Sequence, residues 1–186
     1  RVVMVDHLGR VVDGDQLLYV LARARQATGE LQGPVVGTVM SNLGLELALK
    51  GLGVAFLRAA VGDRHVLQML RTHGGVLGGE ASGHLLCLDK TTTGDGLIVA
   101  LQVLAVMKAT GKTLAELAAG MSRFPQQLIN VRVTKRFDAA REPSVASAIA
   151  EVEKSLGTRG RVVLRASGTE PLIRVMVEGE DAMLSF

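Results

Sequence analysis

The stretch RASGTEPLIR, Arg165–Arg174, constrains this chain more than any other. The apolar run Val162–Leu164 precedes it, and IRVMV, Ile173–Val177, runs through its end. The segment therefore reads as strand, polar turn, strand. The turn gathers two arginines, two hydroxyls and one glycine. That set suits a tetrahedral anion. Arginine offers a planar fork of donors to anionic oxygens. Ser167 and Thr169 add hydroxyl donors. Gly168 admits φ > 0 and lets backbone N–H groups turn inward as a nest. Pro171 fixes the exit from the turn. A hairpin turn with surface arginines would account for Ser-Gly-Thr alone. The two arginines point further, to an anion.

A second motif, GGEASGH, spans Gly78–His84. Side chains alternate along an extended loop, so Glu80, Ser82 and His84 are expected on one side. A carboxylate, a hydroxyl and an imidazole on one edge can grip vicinal sugar hydroxyls. The competing reading is a tight turn with a solvated glutamate and a hydrogen-bonded structural histidine.

Periodicity gives an α/β chain. Asp13 is placed to cap a helix running to about Gln26. Strands are expected at Gly33–Met40, Val54–Ala60, Val76–Gly78 and Leu85–Leu88. Helices are expected at Gly44–Lys50 and Asp63–Thr72, from Asp95 onward, and from Thr113 through Ala119. Leu97–Met107, LIVALQVLAVM, is apolar nearly all round, which predicts a buried helix covering a sheet. It is too short to span a bilayer. At MSRFP, Met121–Pro125, periodicity is lost, which suggests a linker. Beyond it the pattern predicts a strand at Gln127–Thr134, a helix at Ser144–Leu156 and the strand pair already described. Alternating strands and helices imply a mixed or parallel sheet in the first part, followed by a smaller α+β part.

Composition narrows the function. The formal charge is only +3, with no dense basic run, and the chain has no Trp and one Tyr. Neither a nucleic acid nor a stacking platform for single strands is indicated. The single cysteine, Cys87, excludes an internal disulfide and fits the cytosol. Other polar clusters are weaker. Asp63 and Arg64 read as an ion pair opening a helix, with Asp63 as its cap. Lys90–Gly96 reads first as the cap of the apolar helix, with a phosphate contact by that helix end as the alternative, and it lacks the spacing of a nucleotide-binding loop. Asp13 and Asp15 imitate a metal pair but lack a third ligand nearby.

GGEASGH and RASGTEPLIRVMVEGED, in that order, resemble two loops of the α-D-phosphohexomutase superfamily, its sugar-specificity loop and its C-terminal phosphate-binding loop. LLCLDKTTTGDGLIVALQVL, VGTVMSNLGLELALKGLG and VGDRHVLQML resemble the superfamily's phosphoglucosamine branch. The resemblance covers essentially the whole chain. It implies a third-domain α/β layer over residues 13–120 and a truncated α+β fourth domain over 121–186. Residues 1–12 would be a remnant strand of a preceding domain. It implies Glu80, Ser82 and His84 as sugar contacts. Arg165, Ser167, Gly168, Thr169 and Arg174 are implied as phosphate contacts.

Superfamily members carry a phosphoserine nucleophile in their first domain and a DGDGDR metal loop in their second. Neither motif occurs in this sequence, and Arg1 would be the last residue of that loop. The chain is therefore expected to be the C-terminal part of a longer cytoplasmic enzyme, inactive alone. The implied reaction interconverts glucosamine 6-phosphate and glucosamine 1-phosphate through a phosphoserine and a bisphosphate. Its implied cofactors are Mg²⁺, bound elsewhere in the parent, and a hexosamine bisphosphate activator. A phosphorylated amino sugar is the implied partner, with no nucleic acid or membrane, and a homodimer of the parent is admitted. Ala81 stands where a larger polar residue or Met is common. Phosphomannomutase or phosphoglucomutase specificity therefore stays open, as does a non-catalytic phosphosugar-binding module.

Overall fold

The computed structural model describes residues 1–134, 139–167 and 170–180, with Ala140 described by its backbone alone. The chain forms two compact units, Arg1–Arg123 and Phe124–Phe186.

The first unit opens with a small antiparallel ribbon, β1 (Met4–Val5) and β2 (Val11–Val12). Helix α1 (Gly14–Thr28) starts at Asp13 through a reciprocal capping box. The Asp13 carboxylate accepts from the Gln16 N–H at 3.0 Å, and the Gln16 side chain accepts from the Asp13 N–H at 3.3 Å. Then follow β3 (Val35–Thr38), α2 (Leu43–Gly51), β4 (Phe56–Ala59), α3 (Asp63–His73) and β5 (Leu77–Gly79). Next come β6 (Leu85–Cys87), α4 (Gly96–Thr110) and α5 (Leu114–Ala118). The sheet order is β4-β3-β5-β6. The first three strands are parallel, and β6 returns antiparallel to β5. This is the mixed sheet expected of the α/β class.

The period-2 alternation sorts the strand residues into two layers. Val35, Leu77, Leu85 and Cys87 join Leu17, Leu21, Leu45 and Val103 in the larger core under α1, α2 and α4. Val36, Ala59 and Leu86 face the other way and pack on Val66 and Leu70 of α3. One expectation fails at α4. It buries only Val99 and Val103, while Leu97, Leu101 and Leu104 are 78%, 61% and 48% exposed. The core requires a single stripe of this helix, and the apolar residues opposite that stripe face outward.

Asp15, in the first turn of α1, is 1% exposed and braces α2. Its Oδ2 accepts from the Asn42 N–H, the cap of α2, at 2.7 Å, while Oδ1 has no partner. Burial pushes its carboxyl up to about 6, against the pull of the Asn42 N–H, with the neighbouring Asp13 charge adding to the rise. The folded carboxyl thus holds its proton at higher pH than the unfolded one, whose value is 3.8. Asp15 therefore favours the folded state most below the unfolded value and loses that contribution as pH rises through the folded one. Asp15→Asn keeps an acceptor for Asn42 and removes the charge. Urea unfolding at about pH 4 and about pH 7 is expected to show a smaller loss of stability on raising pH in Asp15→Asn than in the wild type, by about 2–3 kcal/mol. Equal losses in both proteins would show that the buried carboxyl is not strained.

The second unit is an antiparallel sheet in the order β7-β9-β8, with one helix. Its elements are β7 (Gln126–Arg132), α6 (Pro143–Leu156), β8 (Gly160–Ala166) and β9 (Leu172–Gly179). Val162 pairs with Val177, and Leu164 with Val175. These four line an apolar groove with Val145 and Ile149 of α6, so α6 lies on their face of the sheet. The opposite face carries Arg161, Val163 and Arg165 of β8, with Arg174, Met176 and Glu178 of β9.

Candidate functional site

The GEASGH motif connects β5 to β6 as a tight turn, and the expected extended loop is not formed. The Gly83 N–H donates to the Glu80 carbonyl at 3.0 Å, and the Glu80 N–H donates to the His84 carbonyl at 3.1 Å. Gly83 sits at φ +84°, which only glycine adopts without strain. Two backbones hold this turn. The Gly14 N–H, at the start of α1, donates to the Ala81 carbonyl at 3.0 Å. The Val2 N–H donates to the Gly83 carbonyl at 2.9 Å. A Cβ at Gly14 would collide with the Glu80 carbonyl, and one at Gly83 with that of Val2.

The turn disperses the three predicted sugar contacts. Ser82 is exposed. Glu80 reaches the start of α3, where its Oε1 accepts from the Gly62 N–H at 2.9 Å. His84 Nε2 lies 3.7 Å from Asp63 Oδ2. Its ring rests on Gly94, where a Cβ would meet both Cδ2 and Nε2. Glu80 and His84 thus converge on the α3 N-terminus. Sequence reading missed Asp63 as a neighbour of that pair. It also assigned Asp63 as the cap of α3. The cap is Gly62, which has no side chain to bond, and its own N–H, another of the free donors at this helix start, is taken up by Glu80 from another element. Asp63 accepts instead from the adjacent Arg64 N–H at 2.8 Å. Among the described residues no Asp63–Arg64 ion pair forms, and the Arg64 Nε lies 3.4 Å from His65 Nε2.

The strand pair around Ser167 forms with a register that decides the geometry. Arg165 stands directly opposite Arg174. Directly paired residues share a sheet face, so the two guanidinium groups emerge side by side. The Nε of each is buried without a hydrogen-bond partner among the described residues. Arg161, four residues earlier on the same strand and face, makes the comparison. It stands opposite Glu178, and its Nε donates to the fully buried Glu178 carboxylate at 2.6 Å. One row of this ladder is thus neutralised, and the other holds two like charges. Ser167 is buried at the turn. Its N–H donates to the Leu172 carbonyl at 2.9 Å, and its hydroxyl accepts from the Glu170 N–H at 3.3 Å. Gly168 and Thr169 lie outside the described residues.

Among the described residues, no three His, Cys, Asp or Glu side chains converge as a metal cage. Asp13 is engaged as a cap and lies 3.5 Å from Arg123, and Asp15 is bonded to Asn42. No described helix is long and apolar enough to cross a membrane.

Removing the Glu80 carboxylate would leave the Gly62 N–H without its acceptor. Glu80→Ala is expected to lower the stability of the first unit by about 1–2 kcal/mol in urea unfolding, and Glu80→Gln by less, since the amide oxygen still accepts. Wild-type stability in Glu80→Ala would mean that the bond to Gly62 contributes nothing.

Comparison with known proteins gives this geometry a family. The profile for phosphoglucomutase/phosphomannomutase, alpha/beta/alpha domain III, matches residues 13–124. The profile for the phosphoglucomutase/phosphomannomutase C-terminal domain matches residues 128–184. A phosphoglucosamine mutase of Methylococcus capsulatus is 62% identical over 97% of this chain, and one of Alkalilimnicola ehrlichii is 61% identical over 97%. The chain spans about 40% of the length of each of these relatives. Among solved structures, Aspergillus fumigatus N-acetylphosphoglucosamine mutase, in complex with GlcNAc-6P and magnesium, has a similar fold. Its TM-score is 0.76 at 22% identity, covering 95% of this chain and 46% of that one. An N-acetylglucosamine-phosphate mutase in its substrate complex superposes with a TM-score of 0.79 at 19% identity, covering 96% of this chain and 43% of that one. Matching two successive domains of that architecture over most of its length, the chain belongs to the phosphoglucomutase/phosphomannomutase family.

Proposed function

We propose that this chain supplies the substrate-holding part of a phosphoglucosamine mutase. The whole enzyme would interconvert glucosamine 6-phosphate and glucosamine 1-phosphate in the cytoplasm, through a phosphoserine and a bisphosphate intermediate. High identity to the phosphoglucosamine mutases named above supports the amino-sugar branch. In this reading, residues 13–120 form the sugar-binding domain and 121–186 the phosphate-binding domain. The nucleophile and the Mg²⁺ site belong to other parts of the parent.

The observation that carries the reading is the Arg165–Arg174 row. Like charges directly opposite one another destabilise a ladder. Each arginine here also keeps a buried Nε with no partner among the described residues. An anion resting on that row would satisfy both nitrogens and remove the repulsion at once. A phosphate that is not reacting in a given half of the cycle is the anion the reading assigns there. Ser167, Gly168 and Thr169 would complete its cradle. Glu80, Ser82 and His84 are assigned to the sugar. The turn narrows their roles, because Glu80 and His84 act from beside the α3 N-terminus and Ser82 acts from the exposed tip.

The anchor predicts a kinetic signature in the full-length parent. Each arginine bond to a charged oxygen contributes on the order of 1.5–3 kcal/mol. Arg165→Ala is therefore expected to lower kcat/KM by about ten- to a hundredfold. Arg165→Lys is expected to restore part of the loss, since lysine keeps the charge without the fork. Unchanged kcat/KM in Arg165→Ala would reduce the turn to a hairpin and overturn the anchor. Comparing turnover of glucosamine, glucose and mannose phosphates by the same parent tests the sugar assignment.

A further inference from the structure

We infer that Arg132, with Asn130 beside it, is a third arm of the anion site on the polar face of the second unit, and that it favours a doubly charged phosphate over a singly charged anion. The inference rests on the phosphate reading of Arg165 and Arg174.

The register of β7 carries it. Asn130 stands opposite Arg174, and Arg132 stands opposite Leu172. Arg174 stands opposite Arg165 on its other side. Cross-strand partners share a face, and so do residues two apart along a strand. Asn130, Arg132, Arg165 and Arg174 therefore project from one face, away from α6. Asn130, Arg174 and Arg165 form a single row across three strands. Arg132 is the diagonal neighbour of Arg174, at a Cα separation of roughly 7–8 Å, which a long side chain spans.

Arg132 is exposed, and its side chain has no hydrogen bond or ion pair with another described residue. Among the described residues, then, no carboxylate neutralises its charge. On an edge strand, a lone cation can serve only to discourage edge-to-edge pairing. Position argues for more. The neighbouring arginines already repel one another, and Arg132 adds a third positive charge within reach of the same point. One negative charge offsets only part of that field, and two offset most of it. Asn130 adds a neutral amide in the row, able to donate to a phosphate oxygen or a sugar hydroxyl.

Two probes separate the possibilities: glucosamine 6-phosphate, doubly charged well above about pH 6, and glucosamine 6-sulfate, which carries one negative charge on its ester. Binding to the 186-residue chain is followed at about pH 8 through the arginine Nε–Hε signals in NMR titrations. The wild type is expected to bind the phosphate more tightly than the sulfate. Arg132→Ala is expected to weaken the phosphate by about tenfold and the sulfate by only about two- to threefold, because the lost attraction scales with ligand charge. Arg132→Lys, which keeps the charge, is expected to retain most of the preference for phosphate. Exposure of Arg132 makes both variants compatible with folding, and the dispersion of the amide spectrum verifies it.

Suppose the Arg165 and Arg174 signals shift with phosphate while Arg132→Ala binds as tightly as the wild type. Arg132 is then only an edge charge, and the proposal is overturned while the anchor stands. Equal weakening of phosphate and sulfate also overturns the charge preference. If neither Arg165 nor Arg174 responds to the phosphate in the wild type, the anchor fails first and Arg132 falls with it.

Discussion

A contact between bare backbones organises the first unit. Gly14 has no side chain, so the start of α1 meets the β5–β6 turn directly, N–H to carbonyl. Much of the rest follows from that approach. The helix must begin there, and Asp13 secures its beginning with a capping box. Two residues after Asp13, Asp15 is carried into the interior, where it is held against the cap of α2. The turn itself is pinned from two sides, by Gly14 and by Val2. It therefore presents Glu80 and His84 to the start of α3. A methyl group at Gly14 would push these elements apart together. The charged groups near the turn are thus placed by a glycine that bears no chemistry of its own.

In the second unit the organising fact is register. A slip of one residue between β8 and β9 would send each side chain of one strand to the other face. The observed register gives Arg161 a carboxylate and gives Arg165 another arginine. Apolar packing fixes this choice. Val162, Leu164, Val175 and Val177 must all face α6, which leaves the alternate positions on the other side. The arginine row is therefore a by-product of burying valines, in the sense that no charge chose it. Its electrostatic cost is local, and the Glu178–Arg161 pair shows that the same ladder can neutralise a guanidinium when a carboxylate is encoded opposite.

Much of this was legible in the sequence because the signals were local. Asp13, Asp95 and Thr113 all cap the helices they were expected to cap. The strand–turn–strand around Ser167 was legible for the same reason, since its apolar runs flank turn residues. What escaped depends on residues distant in the chain. Gly62 stands at the cap of α3 with its own N–H bonded to Glu80, eighteen residues on. No window around Gly62 contains that information. The bent GEASGH turn escaped because its shape is set by Gly14 and Val2. Helix α4 was misjudged for a different reason. An apolar residue exposed on a helix carries the same letter as a buried one, and pattern alone cannot say which stripe the core will use.

The bend in GEASGH also changes what the motif can do. An extended strand would offer Glu80, Ser82 and His84 as three parallel contacts, equivalent in depth. In the turn they differ. Glu80 is committed to a backbone N–H through one oxygen, and that bond fixes where its second oxygen can point. His84 is seated on Gly94, with its Nε2 3.7 Å from an Asp63 carboxylate oxygen, which fixes where its ring can lie. Ser82 alone is free to follow a ligand. The motif is thus better suited to present two fixed polar groups and one adaptable one than to wrap a ring evenly. If the chain serves the mutase proposed above, a substrate held in two opposite orientations would be met by fixed groups at the features common to both. It would need adaptability only for those that differ.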